Sequence, residues 1–188
     1  MSRGIMSLQR VFAEINLEGL EYHQNLIMNL SDFSVLPTYM DDVVSVTVPK
    51  KGCTEWEVSL EGAPFHWIER DSVDFKNRTV QFELLDGDLD KFEGAWRMQE
   101  KESGLVLSLE IEYSLGIPVI EMALGEVLKE KFQNYVTQLV SKMGQRLLEL
   151  GGEEVKENLE PFSADLPKTD KISIYKIKEN KPGAQNVA

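Results

Sequence analysis

Between Val44 and Tyr113 apolar residues alternate with polar ones in six short runs, and at Pro118 the period changes abruptly to that of a helix. The runs are Val44-Val46-Val48, Trp56-Val58-Leu60, Phe65 to Val73, Val80-Phe82-Leu84, Phe92 to Met98, and Leu105 to Tyr113. Turn residues separate them at Pro49-Lys50-Lys51-Gly52, Glu61-Gly62, Lys76-Asn77-Arg78, Asp86-Gly87 and Ser103-Gly104. Evenly spaced strands joined by such short turns predict an antiparallel meander with one buried face. From Ile120 to Leu147, apolar residues recur at three- and four-residue steps until Gly151-Gly152. That predicts one helix over roughly Pro118 to Leu150, about 50 Å long at 1.5 Å per residue, which is enough to cross a sheet. Gly125 and Gly144 each weaken it by about 1 kcal/mol relative to Ala, so a kink is expected near one of them.

Upstream, Val11, Phe12 and Ile15 suggest a first strand from about Ser7 that ends near Asn16 and Gly19. Leu20, Ile27 and Leu30 recur at helical spacing, and Ser31 can cap a second short turn that Pro37 ends. The predicted order is therefore a strand, two short helices, six strands and a long helix. A sheet and a helix that each carry one apolar face gain stability by burying them together, here as an α+β helix-grip fold. Such a curved sheet of about seven strands leaves room for a cavity of roughly 300 to 1,000 Å³. The domain is expected over residues 5–150. Residues 151–188 form a tail that is expected to be flexible and dispensable for folding, although Ile172, Ile174, Tyr175 and Ile177 could add a strand.

Charge excludes several partners. The 188 residues carry 20 Lys and Arg against 32 Asp and Glu, for a net charge of −12, and the acidity lies within residues 1–150. Nucleic acids and anionic lipid surfaces reward clustered basic residues, which are lacking here. No apolar run approaches the roughly 18 residues of a membrane-spanning helix, and no signal-peptide pattern follows Met1. A cytoplasmic location is expected, with no integral membrane association. One cysteine and two distant histidines give no metal-ligand spacing, and phosphate-binding Gly-rich loops are absent. Asp86, Asp88 and Asp90 resemble the start of a calcium loop, but Arg97 stands where the closing Glu belongs, so a hairpin turn is expected. No cofactor or metal is expected.

Trp56, Trp67-Ile68-Glu69-Arg70, Asp86-Gly87-Asp88, Phe92-Glu93-Gly94-Ala95-Trp96 and Gly116-Ile117-Pro118, in this strand order, resemble the START-like helix-grip superfamily (SRPBCC). The resemblance is closest to its polyketide aromatase/cyclase and coenzyme Q-binding branch. It implies that Arg70 faces the cavity and organises a poly-β-ketone for aldol condensation and dehydration. By parity on the strand, His66 and Ile68 would share that face. His66 and Tyr39 are the expected proton-transfer partners, and Trp56, Ile68, Phe82, Trp96 and Tyr113 the expected substrate contacts.

Plain structural roles compete with these. Arg70 could pair at the surface with neighbouring carboxylates, His66 could be structural, and the tryptophans could serve packing alone. The expected function is cofactor-free intramolecular cyclisation of a polyketide-type intermediate in an apolar cavity. The alternative is a carrier of a lipid, quinone or other hydrophobic molecule, and a third reading is an interaction protein whose own side chains fill the cavity. A chain this acidic repels an acidic carrier protein, which favours a released substrate. A homodimer is possible on sequence grounds.

Overall fold

The computed structural model describes residues 8–60 and 62–151. Seven strands, β1 (Gln9–Glu18), β2 (Val43–Lys50), β3 (Cys53–Leu60), β4 (Ala63–Asp74), β5 (Thr79–Gly87), β6 (Lys91–Lys101) and β7 (Gly104–Ser114), form one antiparallel sheet. Their order is β1-β7-β6-β5-β4-β3-β2, so each strand from β2 onward pairs with its sequence neighbour and β1 closes against β7. Short turns favour this local pairing. The long β1–β7 pair runs from Gln9 opposite Tyr113 to Glu18 opposite Gly104. Helix α1 (Gln24–Leu30) and a 3-10 turn over Phe33–Thr38 follow β1, and helix α2 (Pro118–Leu150) follows β7. The helix-grip architecture is thus the observed one. Residues 152–188, where the tail was expected, lie outside the described residues.

Local details refine the expectations. Leu20 to His23 precede α1 rather than form its first turn, and the 3-10 turn runs through Pro37 instead of stopping before it. Ser31 closes α1, donating its hydroxyl to Met28 O at 2.8 Å, and Asp32 stands before the turn instead.

Helix α2 runs unbroken from Pro118 to Leu150, and the two glycines inside it differ in purpose. A Cβ on Gly144 would approach Ile15 Cγ2 at 2.9 Å and Leu17 Cδ2 at 3.1 Å, so the missing side chain lets α2 lie directly on β1. A Cβ on Gly125 would meet nothing within 4 Å. Gly125→Ala is therefore expected to stabilise the protein by up to about 1 kcal/mol. Gly144→Val should destabilise it by about 1–3 kcal/mol through overpacking. Thermal denaturation of the two variants checks both signs.

Polar ties fix the C-terminal half of α2. The Gln133 side-chain amide donates to Phe12 O at 2.6 Å and accepts from Phe12 N at 3.2 Å, satisfying backbone groups on the free edge of β1. Near the other end, buried Arg146 donates to Asn29 O and pairs with Asp32 Oδ2 at 3.3 Å, anchoring α2 to the segment around α1. The main core lies between this half of α2, α1 and the inner face of the sheet. It includes Leu17, Leu26, Ile27, Leu36, Leu107, Val136, Met143 and Leu147.

Candidate functional site

Alternation on β4 decides what faces the interior. Trp67, Glu69, Asp71 and Val73 are buried, whereas Arg70 is exposed and His66 and Ile68 are only partly buried. In a strand, residues two apart share a face. The inward set therefore places Glu69 and Asp71 beneath the helix and turns Arg70 outward. The expectation that Arg70, Ile68 and His66 line the cavity is corrected by this parity. Arg70 Nη1 pairs with Glu83 Oε1 at 2.9 Å on the outer face, and His66 Nε2 meets Glu55 Oε1 at 2.9 Å. Tyr39 is not brought to the interior space where proton transfer was expected of it: it packs at the edge of the core, its hydroxyl 3.4 Å from Glu149 Oε2 near the C-terminal end of α2.

Most of the expected aromatic contacts do face inward. Trp56, Phe82 and Trp96 line a space shared with Trp67, Glu69, Phe92 and, from α2, Phe132, Tyr135 and Leu139. Tyr113 is buried and stacks on Phe132 with ring centroids 4.2 Å apart. Rings fill the interior: Trp56 stacks on Trp67 at 5.5 Å, and Phe92 touches both Trp67 and Phe82. Gly94, opposite Phe82 in the β5–β6 register, leaves room for that ring. The free volume is about 30 Å³, far below the expected cavity and room for about one or two waters. Side chains occupy the space that curvature creates.

Glu69 is the chemical exception in this apolar interior. Its residue is 2% exposed, and its two carboxyl oxygens accept from the indole N–H groups of Trp56 at 2.9 Å and Trp67 at 2.8 Å. Burial raises its pKa well above the usual carboxylate range, and the neighbouring Asp71 raises it further, while the two indole donors oppose the shift. Desolvation disfavours the charged form. Burial therefore favours the protonated form of Glu69. Asp71 is pushed up by burial to about 6, opposed by hydrogen bonds from Thr54 and Glu69. Thr54 Oγ1 donates to Asp71 Oδ2 at 2.5 Å. The buried Tyr135 hydroxyl on the same cavity wall has no hydrogen-bond partner among the described residues, and burial pushes its pKa up, so it stays protonated. A ligand oxygen reaching this point would meet the Tyr135 hydroxyl as a proton donor.

Among the described residues, no cluster of three or more His, Cys, Asp or Glu side chains is placed to hold a metal. Asp86 and Gly87 end β5, and Asp88 to Asp90 connect it to β6, with Asp88 Oδ2 accepting from His66 N at 2.7 Å. No helix among the described residues is long and apolar enough to cross a membrane.

A family model described as polyketide cyclase / dehydrase and lipid transport matches residues 29–140, more than half of the chain. The chain belongs to this family. Its fold is similar to a protein from Thermus thermophilus, at 24% identity and TM-score 0.67 over 75% of this chain and 98% of that one. The Zhui aromatase/cyclase from Streptomyces sp. R1128 is similar at 13% identity and TM-score 0.61, over 79% of this chain and all of that one. A START superfamily protein from Mycobacterium smegmatis is similar at 13% identity and TM-score 0.59, over 76% of this chain and 98% of that one. No curated protein matches the sequence. At these identities the solved structures establish the fold, and family membership rests on the matched segment.

Within the family framework Arg70 is a surface residue. Its pair with Glu83 is between side chains 44% and 56% exposed, a class worth about 0–1 kcal/mol. Arg70→Ala is expected to change stability by less than about 1 kcal/mol and to leave ligand affinity unchanged. Denaturant titration and a fluorescent-ligand titration check this.

Proposed function

We propose that this chain binds a hydrophobic, polyketide-type ligand between α2 and the sheet and promotes its cofactor-free cyclisation, with Glu69 as the proton donor. The observation that carries the reading is a carboxyl buried among aromatic rings on the wall of the interior space, where burial raises its pKa and favours the proton-bearing form. A neutral acid in a dry site can donate to a ligand carbonyl oxygen without first losing hydration. That proton transfer makes the carbonyl carbon more electrophilic. An enol carbon of the same chain attacks it, a carbon–carbon bond forms, the former carbonyl becomes a hydroxyl, and the enol oxygen becomes a carbonyl as its proton passes to the Glu69 carboxylate. Loss of that hydroxyl as water, with a hydrogen from the adjacent carbon and formation of a carbon–carbon double bond, completes a dehydrating cyclisation. Apolar walls contribute by folding the flexible chain so that its reacting carbons meet.

Admission of a ligand requires the rings to turn and the helix to shift. α2 packs chiefly along β1, with lesser contact to β7 and α1, so its separation from β3 to β6 leaves those anchors in place. A second reading is favoured by the free volume of about 30 Å³, namely that the interior is permanently filled and the protein acts through its surface.

The test is incubation of the purified protein with a linear poly-β-ketone, with products followed by chromatography and ligand retention by native mass spectrometry. Conversion supports the cyclase reading. Retention without conversion makes the protein a carrier, and neither outcome leaves only the filled interior.

A further inference from the structure

The N-terminal half of α2 carries a second apolar stripe that faces away from the sheet. At 100° per residue, Val119, Ile120, Ala123, Leu124 and Val127 fall within about 140° of arc, while Phe132, Tyr135, Leu139 and Met143 point to another side. All five stripe residues are exposed, Val119 at 73% and Leu124 and Val127 near half. Met122, at 88%, and Ile117, at 49%, flank them. A contiguous apolar stripe of this size marks a surface that is covered by something.

We propose that residues 171–178 of the same chain, Lys-Ile-Ser-Ile-Tyr-Lys-Ile-Lys, lie across this stripe. Length permits it. From Gly151 the chain reaches about 70 Å by Ile172 if extended, whereas Leu124 lies about 39 Å back along the helix. Size fits as well, since Ile172 to Ile177 extended spans about 17 Å and Ile117 to Leu128 rises about 16 Å. Charge is complementary: on the same wheel the exposed Glu126 lies about 20° outside the stripe and the exposed Glu130 lies within its arc one turn past Val127, and the segment carries Lys171, Lys176 and Lys178 with Lys168 and Lys181 close by. Ile172, Ile174, Tyr175 and Ile177 are the densest apolar cluster after Gly151. A second copy of the chain is a poorer fit, because the stripe offers a few hundred Å², below the roughly 800 Å² per partner of a stable interface. A tethered segment needs less area, since its effective concentration reaches the millimolar range.

The test uses the full chain with Cys53 replaced by Ser and two cysteines introduced, Val127→Cys with Ile174→Cys. Under mild oxidation the pair should form an intramolecular disulfide at least 10-fold faster than a control pair of Val44→Cys with Ile174→Cys. In the parent chain, amides of residues 119–128 should exchange more slowly than in an Ile172→Ser, Ile174→Ser, Ile177→Ser variant. Equal disulfide rates and equal exchange would overturn the proposal. A cross-link at dimer mass would assign the stripe to a second copy, and flotation of the parent with phosphatidylcholine vesicles would assign it to lipid; either result also overturns it.

Discussion

Glu69→Gln is expected to lower cyclisation by about 100-fold or more while leaving ligand affinity within a few-fold. Glutamine keeps the size of the side chain and can still accept from one indole through its amide oxygen, but it carries no transferable proton. General acid catalysis by a positioned group is worth about 10²- to 10⁴-fold. The loss should fall on kcat rather than KM, because the proton moves only as the carbon–carbon bond forms. Equal turnover by the variant would remove Glu69 from the chemistry and leave it as a binding group. Asp71→Asn offers a graded comparison, since the charge of Asp71 helps to raise the pKa of Glu69.

A fall in stability as pH rises from 5 to 8 is the second large effect. Glu69 and Asp71 both have folded pKa values raised by burial, so the folded state keeps protons that the unfolded chain releases near pH 4. Stability is linked to that difference, and with more protons bound in the folded state it decreases as pH rises. For Asp71, raised from an ordinary 3.8 to about 6, the loss accumulates between those two values and amounts to about 3 kcal/mol. Glu69 extends the decline to higher pH. Glu55, Asp74 and Glu112 shift downward through hydrogen bonds from His66, Asn77 and Lys91 respectively. They contribute in the opposite sense, with stability lost only as pH falls below about 4, and solvent screens them. Melting temperature should therefore peak in mild acid, and the double variant Glu69→Gln, Asp71→Asn should show a much flatter profile. A parent protein whose stability is constant or rises from pH 5 to 8 would contradict the buried-pair account.

The fold was legible because its signals are local. Alternation in the six runs, small turn residues and the period change at Pro118 each specify one element, and the apolar faces leave a single way to bury them. Element identity and order followed from that. The site was legible only in part. Trp56, Phe82 and Trp96 point inward as their alternation implied, but Arg70 does not. The signal that settles it lies in the same strand: Phe65, Trp67 and Val73 are bulky apolar residues of odd parity, against Ile68 alone among the even ones. Burying that odd set carries Glu69 and Asp71 inward, at a cost that the two indoles and Thr54 offset. Free volume was not legible, because curvature predicts a gap while ring stacking decides whether it is filled. The role of Gly144 was hidden too, since its partner surface on β1 lies more than a hundred residues away.

Infrared spectroscopy at neutral pH tests the central claim most directly, since a neutral carboxyl has a carbonyl stretch distinct from that of a carboxylate. At pH 7, a difference spectrum of parent minus Glu69→Gln should contain one protonated-carboxyl band that disappears on unfolding. A difference spectrum with carboxylate bands alone would mean that Glu69 is ionised and cannot serve as the interior proton donor.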